Sequence, residues 1–285
     1  MGPEAGHVLD RGDRGLLVMR AHPGEGPQAR APIVAPATYW FDGRAAWMTT
    51  AADSDRTAAL SRDPRCALYV PPADGGADDA GRVGALAAGR ARVFSLGDPL
   101  GLTFHAPPIA LAMTALAARN AASLVRRAQA AAPRVPGRLI PQNRVVVRVI
   151  VDDAHEVLRL PAQPGIAPPL PPVAPADVRR VIAGRRQVLV AAEEGDRLVI
   201  APAIWGNGFA LALAPGSRLP AGATATAALD VSGGPGDGVG LAVHGRLTSA
   251  PALQAERVTW WKGARLQTAD MPPAGRQSGA LTLPD

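Results

Sequence analysis

Four residues that can bind an anion fall within eight positions of the sequence: Thr49, Thr50, Ser54 and Arg56. The run before them is apolar and typical of a strand, and the run after them predicts a helix that begins near Ser54. A strand end that leads into a helix N-terminus offers N–H and O–H donors at the positive end of the helix dipole. Arginine adds a cation that can hold a phosphate through two hydrogen bonds. The segment therefore indicates a site for a phosphate-bearing ligand.

A purely structural interpretation of the same residues stays open. Arg56 can form an ion pair on the helix surface with Asp53 or Asp55, and Ser54 can cap the helix without touching a ligand. Asp55, which directly precedes Arg56, also places a negative charge where a phosphate would favour none. The sequence alone does not decide between the two interpretations.

No other group of residues predicts a catalytic or metal site. The five histidines are spread along the chain without metal-ligand spacing, and no nucleophile elbow or carboxylate pair occurs. His244 is a candidate groove residue or an exposed strand histidine. Cys66 is the only cysteine, which excludes an intramolecular disulfide and a thiolate metal site. We therefore predict no metal and assign no catalytic residue.

Composition indicates a folded protein with packed cores. The chain has 285 residues, 47% of them hydrophobic, with 30 basic and 24 acidic side chains. All basic residues except Lys262 are arginines, and they are scattered, so we expect no nucleic-acid partner. The N-terminal residues lack the pattern of a signal peptide, and no apolar run is long enough to cross a bilayer. We expect no membrane partner and a cytoplasmic protein.

Short apolar or alternating runs bounded by Gly, Pro, Asp and Asn predict a mainly β fold. Helical spacing predicts helices over 54–62, 105–131 and 176–183. The predicted strands of the first half are 16–20, 31–40, 45–50, 66–70, 83–94 and 144–151. Those of the second half are 188–192, 198–205, 209–214, 223–231, 239–248 and 257–262.

A proline-rich stretch divides the chain. Residues 161–174 hold so many prolines that they can neither pair in a sheet nor continue a helix, so we predict an extended linker. The predicted domains are 1–160, with a helical insert at about 99–142, and 175–285.

The two halves share sequence signatures in the same order, which predicts a tandem duplication. Ala-Pro-Ala occurs at 35–37 and 201–203, followed by the dipeptides Asp42-Gly43 and Asn207-Gly208, which suit two-residue type I′ hairpins. The pattern VGxxxxGR then occurs at 83–90 and 239–246. The second copy is shorter between its turn glycine and this pattern, and prolines stand where the first copy has its helix near Arg56.

The stretches "APIVAPATYWFDGRAAWMTT", "SDRTAALSRDPRCALYV" and "GRVGALAAGRARVFS" resemble the FMN-binding split barrels of the pyridoxamine 5′-phosphate oxidase-like superfamily. The resemblance covers about residues 15–95, with the strand at 144–151 as the sixth of the barrel. It implies two tandem six-stranded Greek-key split β-barrels. Because family members usually form homodimers with flavin between two barrels, we expect a monomer folded as an intramolecular pseudo-dimer, with a further homodimer left open.

The resemblance also implies a set of cofactor-binding residues. The basic residue of the helix, here Arg56, would contact the flavin phosphate together with Thr49, Thr50 and Ser54. The tryptophans of the last strand in the second copy could cover the ring, although a core role is the alternative for them. The residues expected around the isoalloxazine ring are Val34, Ala35, Pro36, Ala37, Trp260 and Trp261.

The expected function is an FMN-binding oxidoreductase with a small-molecule substrate that the sequence does not identify. A deazaflavin in place of FMN stays open, as do a non-catalytic flavin-, deazaflavin- or haem-binding protein and a structural barrel without a cofactor. Since the second copy lacks the basic helix, we expect at most one flavin per chain.

Overall fold

The computed structural model describes residues 1–21, 31–72, 83–95, 99–131, 143–158, 160, 169–214, 216–231, 238–263 and 265–272, with only the backbone of residues 99, 102 and 120–131. The chain forms two compact units. The first consists of Met1–Pro161 and Asp230–Gly238, and the second of Ala162–Leu229 and Val239–Asp285. The predicted linker lies partly outside the described residues, and the predicted domain boundaries stay a prediction.

A closed barrel of six antiparallel strands forms the first unit, in the order β1-β2-β3-β6-β5-β4. Five of its strands begin and end within two residues of the predicted positions, whereas β6, predicted as 144–151, continues to Leu158. The bounds are β1 (Arg14–Met19), β2 (Ile33–Phe41), β3 (Ala45–Ala51), β4 (Arg65–Val70), β5 (Val83–Phe94) and β6 (Arg144–Leu158).

Alternating side chains fill the interior of this barrel. On β2 the buried positions include Ala35, Ala37, Tyr39 and Phe41, because successive side chains of a strand point to opposite faces. Residues of the same core from the other strands are Leu17, Met48, Leu68, Ala87, Val147 and Val149. The barrel is therefore a packed core of mostly small and β-branched side chains.

The hairpin turns differ from the predicted type. Asp42 donates its backbone N–H to the Ala45 carbonyl at 3.1 Å, so Gly43 and Arg44 are the two central residues. Gly43 has φ of 90°, whereas neither Asp42 nor Arg44 lies in the positive-φ region, so the turn is not type I′, which needs positive φ at both central residues. In the second hairpin the loop has three residues, Asn207–Phe209, in a 3₁₀ turn. The Asp42 carboxylate fixes the first turn by accepting hydrogen bonds from the Arg44 and Ala45 amides.

Four helices accompany the barrel: α1 (Pro3–Arg11), α2 (Asp55–Arg62), α3 (Pro99–Phe104) and α4 (Ala106–Ala131). Helix α1 is missing from the sequence prediction, and the helix predicted from 105 is preceded by the short α3. Helix α4 covers the outer face of the barrel, where Ala112 packs with Trp47 and Phe94. Arg119 of α4 donates to the carbonyl oxygens of Gly12 and Tyr39, at 2.6 and 3.2 Å. The insert thus covers apolar barrel surface over its described part, and residues 132–142 lie outside the described residues.

A sheet of seven antiparallel strands and one helix, α5 (Ala176–Ile182), form the second unit. The strand order is β13-β12-β11-β10-β7-β8-β9, with one strand more than predicted. A single β-bridge joins Ala210, beside β9, to Ala252, beside β12. The bounds are β7 (Gln187–Glu194), β8 (Arg197–Trp205), β9 (Leu211–Leu213), β10 (Thr224–Val231), β11 (Val239–Leu247), β12 (Leu253–Lys262) and β13 (Arg265–Asp270).

The order β12-β11-β10-β7-β8-β9 in the second unit corresponds strand for strand to β6-β5-β4-β1-β2-β3 in the first. Both VGxxxxGR strands also shift register before the second glycine, at Gly89 in β5 and at Gly245 in β11. A Cβ atom at Gly89 would overlap the Ile150 carbonyl, and one at Gly245 would overlap the Gln254 carbonyl. The shared order agrees with the predicted duplication, which itself stays a prediction.

Among the described residues, no helix combines the length and the hydropathy that crossing a bilayer requires.

Candidate functional site

Strands β2 and β3 separate from each other near the start of α2. Their pairing runs from Phe41 and Ala46 to Tyr39 and Met48, and the structure gives no further pair between them among the described residues. The remaining residues of β2 pair only on their other side, with β1, where Leu17 faces Ala35 and Leu16 faces Pro36. The barrel is therefore split between the first half of β2 and the end of β3.

This split joins the two segments that the sequence singles out. Val34, Ala35, Pro36 and Ala37 form its β2 edge, and Thr49 and Thr50 lie on its β3 edge. Helix α2 begins four residues after β3 ends, so that its N-terminus lies beside the split. Among the described residues, the backbone groups of this part of β2 that point away from β1 form no ladder with β3.

Arg56 spans the split. Its Nη2 atom donates a hydrogen bond of 2.8 Å to the carbonyl oxygen of Pro36. The predicted alternative, an ion pair with Asp53 or Asp55, does not form; no carboxylate pairs with Arg56 among the described residues. Burial and, to a smaller extent, the positive charges of Arg144 and Arg14 lower the pKa of Arg56 to about 10. The side chain is thus a half-buried cation that pairs with no carboxylate among the described residues.

Hydroxyl groups surround the start of α2, but they bind mainly one another. Ser54 caps the helix, because its Oγ accepts a hydrogen bond from the Thr57 amide at 3.2 Å. Ser54 Oγ and Thr57 Oγ1 both donate to the Ala51 carbonyl, at 2.8 and 2.6 Å. Thr50 Oγ1 lies 3.1 Å from Ser54 Oγ. The single proton of the Ser54 hydroxyl is thereby donated to the Ala51 carbonyl. The hydrogen bonds of Ser54 are those of a helix cap, and its contact with a ligand stays a prediction.

Arg144, at the first position of β6, also lies at the split, and the sequence analysis does not single it out. It faces Ala51 across the β3–β6 ladder and donates to Thr49 Oγ1 at 2.8 Å and to the Thr49 carbonyl at 3.0 Å. The strand order of a split barrel could have indicated Arg144, because this order places the start of β6 beside the end of β3. Thr57 is the second residue that the sequence analysis missed.

The predicted tryptophans lie on β12 in the second unit. Trp261 is buried, with 2% of its surface exposed, and its indole packs against Gly240 of β11. Trp260 is half-buried and pairs with Leu241 on one side and Gln267 on the other. A core role is thus seen for Trp261, and the predicted cover over a flavin stays a prediction for both residues.

His244 occupies a polar row across the strands of the second unit. Its Nδ1 lies 3.0 Å from Thr226 Oγ1, and its Nε2 lies 3.1 Å from Thr259 Oγ1. Burial and, to a smaller extent, the charge of Arg257 lower the pKa of His244 to about 4. His244 is therefore a partly buried neutral histidine whose ring links three strands. It is not an exposed strand histidine, and both ring nitrogens already have threonine partners.

No protein-family model matches this sequence, and the curated proteins give no match. Among solved structures, a FAD-binding protein from Mesorhizobium loti aligns at 18% identity and a TM-score of 0.38, over 55% of this chain and 93% of its own. A Clostridium acetobutylicum protein of the pyridoxinephosphate oxidase family aligns at 11% identity and a TM-score of 0.33, over 55% and 88%. The heme storage protein HutZ from Vibrio cholerae aligns at 11% identity and a TM-score of 0.32, over 55% and 92%.

These similarities are too low to transfer a ligand or an activity to this chain. The assignment rests on the closed order β1-β2-β3-β6-β5-β4 and on the split between β2 and β3. At the level of the fold, the first unit is a six-stranded split barrel, as the sequence predicts.

Proposed function

We propose that the first unit binds FMN at the split between β2 and β3, and that the protein is a flavin-dependent oxidoreductase. The observation that carries this proposal is the side chain of Arg56. It is a half-buried guanidinium that has no carboxylate partner among the described residues. It lies at a helix N-terminus and donates a hydrogen bond of 2.8 Å to the Pro36 carbonyl. Removing such a cation from water is costly unless an anion compensates it.

The residues at the split fit a flavin with a terminal phosphate. Arg56 and the first N–H groups of α2 would hold the phosphate, because Arg56 has no carboxylate partner among the described residues and the N–H groups lie at the positive end of the helix dipole. Asp55, in the same first turn, is the negative charge that opposes this binding. The edge of β2 from Val34 to Ala37 would accept and donate hydrogen bonds along the isoalloxazine ring, except at the Pro36 nitrogen, which carries no hydrogen. A bound flavin would supply the redox chemistry.

The proposal places one such site in each chain. In the second unit, β9 ends at Leu213 and β10 begins at Thr224, and the described residues between them form turns instead of a helix. A counterpart of α2, with its N-terminal donors and its arginine, is therefore missing from that described connection. The second unit has the strand order without the phosphate-binding element.

Purified protein tests the proposal through its visible absorption. We expect a flavin spectrum, either as purified or after addition of FMN and removal of the excess by gel filtration. The bound flavin should bleach on addition of dithionite and recover when an electron acceptor is added. Protein that takes up neither FMN nor a deazaflavin would overturn the proposal.

The same measurement separates the other functions considered from the sequence. A deazaflavin protein would show the spectrum of that cofactor, and a haem protein would show a Soret band instead of flavin bands. Tight flavin binding without turnover by any acceptor would identify a non-catalytic flavin protein. A colourless protein that binds none of these would be a structural barrel.

A further inference from the structure

We propose that the dipeptide Asn207-Gly208 is a site of spontaneous modification, at which the side-chain amide of Asn207 is lost as ammonia through a cyclic imide. The product carries aspartate or isoaspartate at position 207. The dipeptide lies in the turn between β8 and β9 of the second unit. The inference therefore concerns a part of the chain to which the proposed function assigns no role.

The backbone nitrogen of Gly208 is the nucleophile, and the turn leaves it open. Inside the turn, the Phe209 amide donates to the Gly206 carbonyl at 3.1 Å. The Ala210 amide donates to the Asn207 carbonyl at 3.4 Å. The Gly208 amide has no acceptor among the described residues. Because glycine has no side chain, and no atom beyond the chain neighbours lies within 4 Å of where a Cβ would stand, nothing hinders the approach to this nitrogen.

The electrophile is the side-chain amide carbon of Asn207. The residue is exposed, and its side chain makes no hydrogen bond within the part of the chain that the structure describes. Because nothing there holds the amide, it can turn toward the nitrogen of the next residue. The turn thus presents both reacting groups to each other and to solvent.

The reaction needs water as its only co-reactant. The Gly208 nitrogen attacks Cγ of Asn207, the bond from Cγ to Nδ2 breaks, and the amide group leaves as ammonia with the proton of the Gly208 nitrogen. Water then adds to one carbonyl of the imide and breaks the bond from that carbonyl to the nitrogen. Cleavage at Cγ gives aspartate. Cleavage at the main-chain carbonyl gives isoaspartate, in which the backbone runs through the side chain and is longer by a methylene group.

The corresponding dipeptide of the first unit, Asp42-Gly43, is closed to this reaction. The Asp42 carboxylate accepts hydrogen bonds from the Arg44 and Ala45 amides, at 2.9 and 2.7 Å. It also accepts a hydrogen bond of 2.7 Å from the Trp47 indole. These bonds fix the carboxylate, and an ionised carboxylate is a weaker electrophile than an amide. The first dipeptide therefore holds its turn together, whereas the second presents a reactive amide.

Isoaspartate at position 207 would act on the contact between the β9 and β12 ends of the sheet. Ala210 forms a β-bridge with Ala252, and the Leu211 amide donates to the Pro251 carbonyl at 2.7 Å. Because isoaspartate lengthens the backbone within the turn, we expect it to displace Ala210 and to weaken this bridge. The modified protein should therefore unfold at a lower temperature.

Incubation of the folded protein at alkaline pH, followed by tryptic digestion and mass spectrometry, tests the inference. The tryptic peptide 198–218 contains Asn207 as its only asparagine, and the peptide 139–144 contains Asn143. We expect most of peptide 198–218 to gain the mass difference between an amide and an acid and to become a substrate of protein isoaspartyl methyltransferase. Asn143, which is exposed but followed by Arg144, is the internal control and should stay unmodified. N207Q is the matched variant, because it keeps an amide whose cyclisation needs a larger ring, and it should not react.

An Asn207 that stays intact in the folded protein and reacts only in urea would overturn the inference, because the turn would then protect the amide. Equal conversion of Asn207 and Asn143 would overturn it as well, since the open glycine nitrogen would then confer no reactivity. Thermal unfolding of fresh wild type, incubated wild type and fresh N207D tests the effect on the bridge. We expect the incubated protein to unfold at the lowest temperature, because N207D has the charge of the product without the longer backbone. Equal unfolding temperatures would refute the effect on the bridge.

Discussion

The side chains at the split divide into those that hold the fold and those that remain for a ligand. Ser54, Thr50 and Thr57 bind one another and the Ala51 carbonyl, which fixes where α2 begins. Arg56 instead reaches across to a strand carbonyl and carries a charge that has no carboxylate partner among the described residues. Residue types alone do not separate these roles, because hydroxyl groups and arginines serve equally in caps and in ligand sites.

Replacement of Ser54 by alanine tests this division. Since Ser54 caps α2, S54A should lower the free energy of unfolding by about 1 kcal/mol, as measured by chemical denaturation. Because its proton is committed to Ala51, the ratio of FMN to riboflavin affinity should not change. A selective loss of FMN affinity in S54A would show instead that Ser54 binds the phosphate directly.

His244 should make stability depend on pH. Its pKa lies at about 4 in the folded protein against 6.5 as its ordinary value, because of burial and then the charge of Arg257. Between these values the unfolded chain binds a proton that the folded protein does not, so stability is full above about pH 6.5 and falls as the pH falls toward 4.

Thermal unfolding followed by circular dichroism at several pH values measures this effect. H244Q, which cannot titrate, should flatten the loss of unfolding temperature between pH 6.5 and 4 relative to the wild type. An identical pH profile for the variant and the wild type would show that other groups cause the loss.

At the scale of elements, the two VGxxxxGR strands depend on their second glycine. Gly89 and Gly245 follow the register shifts of β5 and β11, where a Cβ atom would overlap a carbonyl of the neighbouring strand. Neither Gly89 nor Gly245 has a positive φ. A side chain is therefore excluded by the close approach of the neighbouring strand and not by the backbone conformation of the glycine. Because both strands need a glycine directly after the register shift, the second glycine of VGxxxxGR occurs in both.

Alanine at either glycine should destabilise its own unit. We expect G89A and G245A each to lower the free energy of unfolding by about 1 to 3 kcal/mol, through displacement of a neighbouring strand. G184A is the control, because nothing lies within 4 Å of a Cβ at that position. Denaturant unfolding gives the comparison, and a G89A or G245A variant as stable as G184A would refute the account of the register shift.

Most strands could be predicted from alternation and from turn residues, whereas pairing-dependent features could not. Helix α1 has only nine residues, of which Ala5 and Leu9 are buried, so it offers few apolar positions from which to predict a helix. Strand β13 was missed because four of its six residues are polar or charged. The type of the first turn depends on which residues pair, and the sequence shows only that Gly43 is near it. The contact of Arg144 with Thr49 was missed because it depends on β3 and β6 being neighbours, and no local sequence pattern shows that pairing.

At the scale of the whole molecule, the predicted duplication and the predicted pseudo-dimer are different hypotheses, because the first concerns the origin of the two units and the second concerns their arrangement. The strand order of the two units agrees with a duplication. The pseudo-dimer concerns how the units are arranged, and the size of the protein in solution is one of its consequences. We therefore expect a monomer that needs no second chain to bind its cofactor.

Stoichiometry and size in solution check this expectation together. Titration of ligand-free protein with FMN should saturate at one equivalent per chain, because only the first unit has the helix α2 and its arginine in the described structure. Sedimentation velocity should give the mass of a single chain, 29.3 kDa, at saturation. Two equivalents per chain would place a second site outside the first unit, and half an equivalent with a dimer mass would require two chains per flavin.

The central claim is that Arg56 holds the phosphate of a flavin at the split between β2 and β3. Its most direct test is the affinity for FMN and for riboflavin of the wild type, R56Q and R56K, followed by the quenching of flavin fluorescence. We predict that the wild type prefers FMN, that R56Q loses about tenfold or more in FMN affinity while its riboflavin affinity is retained, and that R56K recovers part of the preference. Equal affinities for the two flavins in the wild type, or an unchanged preference for FMN in R56Q, would contradict the claim.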